Sequence, residues 1–179
     1  MIKFFADTTS TISPEEAKQM GVYYLPQIII FGDKAYRDDS EITSAEFLTK
    51  LKSSSSLPKT AAPPPALYTP MFQELVDQNH TLIVICPSAK VSGTYRSALT
   101  AAQDFPDADI RVVDTETIGP ALGTLVRRAM KWAAEGVSAD EITTRLVEQG
   151  RKVKIYFYVD TLEYLQKGGR IGLAKALVG

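Results

Sequence analysis

Residues 82–98 read LIVICPSAKVSGTYRSA. A short apolar run rich in β-branched residues ends in Pro, Ser and Ala, and a new periodic segment opens at Ser92-Gly93-Thr94, which predicts strand, turn and helix. Ser92 suits the helix N-cap, and Gly93 lets another group approach the backbone. The first N–H groups of a helix have no intrahelical partner and carry partial positive charge, so such a terminus receives carboxylates and phosphates. A serine that merely caps its helix is the competing reading.

Strand and helix alternate outward from this stretch. Toward the N-terminus, residues 2–6 form a buried strand that ends in the polar turn Asp7-Thr8-Thr9-Ser10. Ser13 and Pro14 suit the cap and first position of a helix that Gly21 stops. Residues 22–31 are strand-like but divided by Pro26, and Gly32-Asp33 suits a type II′ hairpin into KAYRD. Residues 43–52 predict a helix with Glu46 completing a capping box, and residues 66–78 predict another. Between them KSSSSLPKTAAPPP, with four serines and four prolines, is a loop long enough to suggest a function. Toward the C-terminus come a strand at 110–113, the polar end Asp114-Thr115-Glu116-Thr117, and helices at 121–134 and 139–148. A last strand at 153–159 precedes the helical turn TLEYLQK, which Gly168-Gly169 stops, and Arg170 leads into a final amphipathic stretch. The pattern is that of an α/β fold, a Rossmann-like parallel sheet with helices on both faces.

Composition narrows the function classes. With 179 residues, 45% hydrophobic and 23% charged, the chain is long enough for one buried core and is not disordered as a whole. A net charge of -1 leaves no nucleic-acid footprint. The single cysteine, Cys86, forms no internal disulfide, which is consistent with a reducing compartment. No apolar run approaches the ~18–20 residues that span a bilayer. The longest, VYYLPQIIIF, is broken by Pro26 and Gln27, and the N-terminus lacks a leader pattern, so a cytoplasmic protein is expected.

Hydroxyls cluster at three strand ends: Thr8, Thr9 and Ser10; Ser88 and Ser92; Thr115 and Thr117. Ligands of open α/β sheets bind beyond the carboxyl ends of the strands, where these clusters would converge, although each hydroxyl taken singly reads as a cap or turn residue. Neither GxxxxGK[ST] nor a GxGxxG after the first strand is present. His80 is the only histidine and stands apart from any cysteine pair, which argues against a zinc site or a Ser-His-Asp triad. The site therefore suits holding an anion rather than acid–base chemistry. Arg170, after a Gly-Gly pair, is either a solvated residue at a helix end or a bidentate partner for a carboxylate or phosphate.

Taken in order, DTTS at Asp7, FGDKAYRD, the Thr60 loop, SAKVSGTYRSA, VVDTETIG and DTLEYLQKGGRIG resemble the DegV family of bacterial fatty acid-binding proteins over nearly the whole chain. The resemblance implies a two-domain protein that encloses one long-chain fatty acid and needs no metal or other cofactor. It also implies a carrier rather than an enzyme, one that presents the carboxylate to a separate fatty acid kinase for acyl-phosphate formation in phospholipid synthesis. Transient membrane contact is compatible with that role, and the oligomeric state is left open. Carried over by position, Thr60, Ser92 and the backbone of Gly93 would hold the carboxylate, and Arg170 would have a structural or head-group-side role; the strand-end hydroxyls Thr8, Thr9, Ser88 and Thr115, with Ala61 beside Thr60, are further candidates to line the ligand or stand on its head-group side. Residues 1–149 would form the first α/β domain, and residues 150–179 the start of a second that is only partly present.

The chain departs from the family pattern at three points. Ala61 replaces the serine that usually follows the loop threonine, GPALG has Ala121 where a glycine is usual, and the sequence reaches Gly179 as the family's second domain begins. That second domain would supply much of the tail enclosure and a further carboxylate contact, often a histidine. Weak lipid binding is therefore expected of residues 1–179 alone, and a strand at 153–159 short of partners would be an exposed apolar edge favouring self-association. Two other functions fit the same fold: an enzyme acting on a small carboxylated or phosphorylated metabolite, and an interaction domain docking through the Ser/Pro-rich loop.

Overall fold

The computed structural model describes residues 1–172. Four strands, β1 (Ile2–Asp7), β2 (Tyr23–Leu25), β6 (Thr81–Cys86) and β7 (Ile110–Asp114), form a parallel sheet in the order β2-β1-β6-β7. Three more, β3 (Ile28–Phe31), β4 (Lys34–Arg37) and β5 (Lys59–Ala61), form a small antiparallel sheet in the order β4-β3-β5. The helices are α1 (Pro14–Met20), α2 (Ser44–Ser53), α3 (Pro65–Asp77), α4 (Thr94–Ala102), α5 (Pro120–Ala134), α6 (Ala139–Lys152) and α7 (Glu163–Lys167).

The two central strands are apolar at successive positions because both faces of the sheet are covered. Phe4, Ala6, Ile83 and Ile85 point to one side and pack with Leu122 and Leu125 of α5 and Ile142 and Leu146 of α6. Phe5, Leu82, Val84 and Cys86 point to the other and pack with Tyr68 and Phe72 of α3 and Ala98 of α4. Each large apolar side chain so buried contributes about 1.5–3 kcal/mol, which fixes the sheet as the rigid platform of the molecule.

Several expectations shift in detail. Pro26 does more than divide a strand, since β2 joins the parallel sheet while β3 joins the antiparallel one. The Ser/Pro-rich segment is not all loop: Lys59, Thr60 and Ala61 pair with β3, with Ile29 opposite Thr60. The hairpin turn has Gly32 at φ 59, and Asp33 is not among the residues with positive φ, as a type II′ turn requires.

The strand expected at 153–159 is not formed. Helix α6 runs on to Lys152, and residues 153–159 pair with no described strand. β-branched and aromatic composition favours a strand only where a neighbour completes the ladder. Tyr156 is 91% and Phe157 69% exposed, so apolar side chains are presented there without the sheet edge that self-association by strand pairing would need. Part of the amphipathic stretch after Arg170, residues 173–179, lies outside the described residues. Among the described residues no helix is long and apolar enough to cross a membrane.

Candidate functional site

The chain leaves β1 for β2 on one side of the sheet and β6 for β7 on the other. Residues of the first connection, Ile12 and Ala17, pack on one face, and residues of the second, Ala98 and Ala101, pack on the opposite face. The strand order therefore reverses between β1 and β6, and a crevice opens beyond their carboxyl ends. Two loops meet there: Asp7 to Ser10, and the loop that joins β6 to α4.

The second loop is held by its own backbone. The Ser88 carbonyl accepts the N–H groups of Val91 (3.1 Å) and Ser92 (3.0 Å), while the Ser88 N–H donates to the Thr117 carbonyl (2.8 Å). The N-cap of α4 is Gly93, not Ser92: the Gly93 carbonyl accepts the Ser97 N–H at 3.0 Å and so starts the helical ladder one residue later than expected. Ser92 stands just outside the helix, where its hydroxyl accepts the Thr94 N–H at 3.3 Å and lies 3.0 Å from the Thr94 hydroxyl.

Thr60 on β5 is linked to this region through Arg170. An Arg170 guanidinium nitrogen lies 3.5 Å from the Thr60 hydroxyl, and its other terminal nitrogen donates to the Gly168 carbonyl at 2.5 Å. A methyl group at Gly93 would meet the Ala62 methyl at 3.4 Å, so the end of β5 rests on the start of α4. A cleft of about 260 Å³ opens between these segments, lined by Lys90, Ser92, Gly93, Arg96, Gly169 and Arg170 among others, with no carboxylate in its wall. Lys90 pairs with Glu116 at 3.3 Å, whereas Arg96 and Arg170 make no ion pair among the described residues. Hydroxyl donors backed by unneutralised guanidinium groups suit a small anion.

The remaining sequence candidates fall elsewhere. Thr8 donates to Asp38 (2.7 and 2.8 Å to its two oxygens) and accepts the Gln27 N–H at 3.0 Å. Thr9 donates its hydroxyl to Asp7 at 2.5 Å. Ser88 is buried beneath the loop, and Ala61 is an exposed residue of β5 opposite Ile28. Thr115 is fully buried and donates to the Cys86 carbonyl at 2.8 Å, which ties the end of β7 to the end of β6 rather than facing the cleft.

Beneath the cleft lies a polar network that sequence reading missed. Asp7 is 1% exposed and accepts the Thr9 N–H (3.1 Å) and hydroxyl, the Gln27 side-chain amide (2.6 Å) and the Thr94 hydroxyl (2.8 Å). Burial raises its carboxyl above the ordinary range, and the hydrogen bonds from Thr9, Thr94 and Gln27 oppose that rise. Burial likewise raises Asp38 against the hydrogen bond from Thr8. A signal existed: Gln27 is the polar residue inside VYYLPQIIIF, and a polar side chain in an apolar run needs a buried partner.

A larger cleft of about 490 Å³ follows β7, lined by Tyr95, Arg111, Val112, Asp114, Glu116 and Arg151 among others. Its charges neutralise one another or their neighbours, through Arg151–Glu116 at 2.9 Å and Arg111–Asp109 at 2.7 Å. It holds none of the residues singled out above as ligand contacts, and the smaller cleft is the better anion site.

Comparison with known proteins agrees with this architecture. The model of the DegV family, described as an uncharacterised protein family, matches residues 1–179. A DegV domain-containing protein of Halalkalibacterium halodurans is 32% identical over 179 residues, which span 99% of this chain and 63% of the relative. The solved structure of a DegV family protein from Thermus thermophilus, described as binding fatty acid, superposes with a TM-score of 0.86 at 32% identity, covering 99% of this chain and 63% of that one. DegV from Bacillus subtilis, described as a fatty acid-binding protein, gives 0.89 at 30% identity, covering 99% of this chain and 64% of that one. The chain thus spans a little under two thirds of the length of these relatives. A family match along the whole sequence, with the parallel sheet and its crevice to accompany it, makes this chain a member of the DegV family.

Proposed function

We infer that this chain forms the head-group end of a fatty acid-binding carrier, with Ser92, the Gly93 backbone and Thr60 holding the carboxylate and Arg170 standing at the mouth of the cleft. The observation that carries the reading is convergence: Ser92 before α4 and Arg170 after α7 line one cleft without an acid in its wall, and Arg170 also reaches the Thr60 hydroxyl of β5 at 3.5 Å. The relatives described as fatty acid-binding proteins support the choice of anion. An exposed head group is what a carrier would offer to a fatty acid kinase that forms the acyl-phosphate used in phospholipid synthesis.

The cleft holds a head group and little more, since about 260 Å³ is below the ~300–1,000 Å³ of a pocket that encloses a drug-sized ligand. The acyl tail needs walls that the parallel-sheet layer does not supply. Helix α6 keeps residues 150–152 with the parallel-sheet layer, so such walls would begin beyond Lys152, where the exposed Ile155, Tyr156 and Phe157 suit that role.

Lipid extracted from the purified intact protein is expected to contain long-chain fatty acid by mass spectrometry, while residues 1–179 alone retain it poorly. Ser92→Ala is expected to weaken fatty acid affinity about tenfold, the loss of one hydrogen bond to a charged group at ~1.5 kcal/mol. Protein that carries no lipid, with Ser92→Ala binding unchanged, would reject the carrier; turnover of a small carboxylated metabolite would favour an enzyme instead.

A further inference from the structure

We propose that Asp7 is the positioning residue of the head-group site: acting through Thr94, its protonation state decides whether Ser92 offers a proton or a lone pair to an incoming carboxylate. This rests on the head-group reading of Ser92 and goes beyond it, because Asp7 lies beneath the cleft and acts only through its neighbours.

The direction of each hydrogen bond follows from counting protons. Thr94 Oγ1 has three polar neighbours besides its own backbone: Asp7 Oδ2 at 2.8 Å, Gln27 Nε2 at 3.0 Å and Ser92 Oγ at 3.0 Å. A threonine hydroxyl has one proton and two lone pairs. When Asp7 is ionised it only accepts, so it takes the Thr94 proton, and the Gln27 amide fills one lone pair. The remaining lone pair faces Ser92, which must then donate inward. Its oxygen already receives the Thr94 N–H at 3.3 Å, and only acceptor capacity is left toward the cleft. A carboxylate is itself an acceptor, so the two repel unless Ser92 breaks its bond to Thr94.

A proton on Asp7 Oδ2 reverses the chain. Asp7 then donates to Thr94, Thr94 donates to Ser92, and the Ser92 proton is free for the ligand. By linkage, binding of a carboxylate must raise the proton affinity of Asp7 by the same factor.

The surroundings of Asp7 make the neutral form accessible. Among the described residues it makes no ion pair. The titratable groups that face it are Tyr24 on β2, Asp38 after β4, Tyr68 on α3 and Cys86 on β6. Asp38 is the other carboxyl among these, and a negative charge on it favours protonation of Asp7. With its carboxyl raised by burial, the folded chain binds this proton more tightly than the unfolded chain. Ionisation as pH rises above the ordinary carboxylate range therefore works against both the fold and the ligand.

The test is the affinity of the intact protein for dodecanoate between about pH 5.5 and about pH 8, a window above the ordinary carboxyl range. Wild type is expected to lose about tenfold in affinity across the window, equivalent to one unit of change in the Asp7 pKa on binding. Asp7→Asn, neutral throughout, is expected to flatten the profile and bind more tightly than wild type at the alkaline end. Thr94→Val keeps Asp7 but cuts the relay, and it should flatten the profile even if Asp7→Asn folds poorly. Made in a Ser92→Ala background, Asp7→Asn should have no further effect on affinity. The same Asp7→Asn effect with and without Ser92, or a wild-type slope that survives Thr94→Val, would overturn the proposal while leaving Ser92 as a ligand. If Ser92→Ala alone binds dodecanoate as wild type does, the head-group reading fails and the proposal fails with it.

Discussion

Replacing Phe72 with alanine is expected to lower folding stability by about 3–5 kcal/mol. The side chain is fully buried, and its ring packs on Phe5 (5.1 Å between centroids), Tyr68 (5.6 Å) and Phe105 (6.1 Å). Truncation removes the transfer energy of the ring and three aromatic contacts worth about 0.5–1.5 kcal/mol each. The neighbours come from β1, α3 and the segment after α4, so the cavity cannot close by movement of one element. Against a total of ~5–15 kcal/mol the variant would be near its limit of folding. Urea denaturation reads the result as a large fall in midpoint at constant m-value; a loss under about 1 kcal/mol would contradict the packing described here.

Gly150→Ala is expected to be nearly as damaging, for the opposite reason. A Cβ at Gly150 would stand 2.0 Å from the Thr115 carbonyl oxygen and 2.9 Å from its carbon. Both obstacles are backbone, which no rotamer change can relieve, so α6 or the segment after β7 must shift at about 3 kcal/mol. The damage reaches the site, since the Thr115 hydroxyl holds the end of β6 and the Thr117 carbonyl receives the Ser88 N–H of the Ser92 loop. Faster hydrogen exchange at the Ser88 amide should accompany the fall in denaturation midpoint. Gly93→Ala is the contrast: its Cβ would touch only the Ala62 methyl at 3.4 Å, and stability should change by no more than about 0.5 kcal/mol.

Local signals in the sequence were strong where a single element satisfies itself. The capping box of Thr43 and Glu46 forms as its spacing implies, and Ser13 with Pro14 starts α1. The buried strands at β1 and β6 were legible because a strand covered on both faces must be apolar throughout. Where pairing partners decide, local pattern misled in both directions. Lys59, Thr60 and Ala61 lie amid serines and prolines yet form a strand because β3 offers an unpaired edge. Residues 153–159 have strand composition yet pair with nothing described.

An α/β protein with its polar strand ends gathered at one edge of a parallel sheet was legible in the amino-acid order, because the hydrophobic period and turn residues act over a few positions. That order also singled out Ser92, from the strand–turn–helix reading of residues 82–98. The company Ser92 keeps came from the packed fold. Thr60 touches Arg170 of the cleft wall across 110 positions, and Asp7 and Thr94, separated by 87, share a hydrogen bond beneath it. Proximity over such separations follows from strand order and register, which depend on every layer packing at once. That same packing moved Ser92 out of the helix cap it was expected to fill and set it over a buried carboxylate.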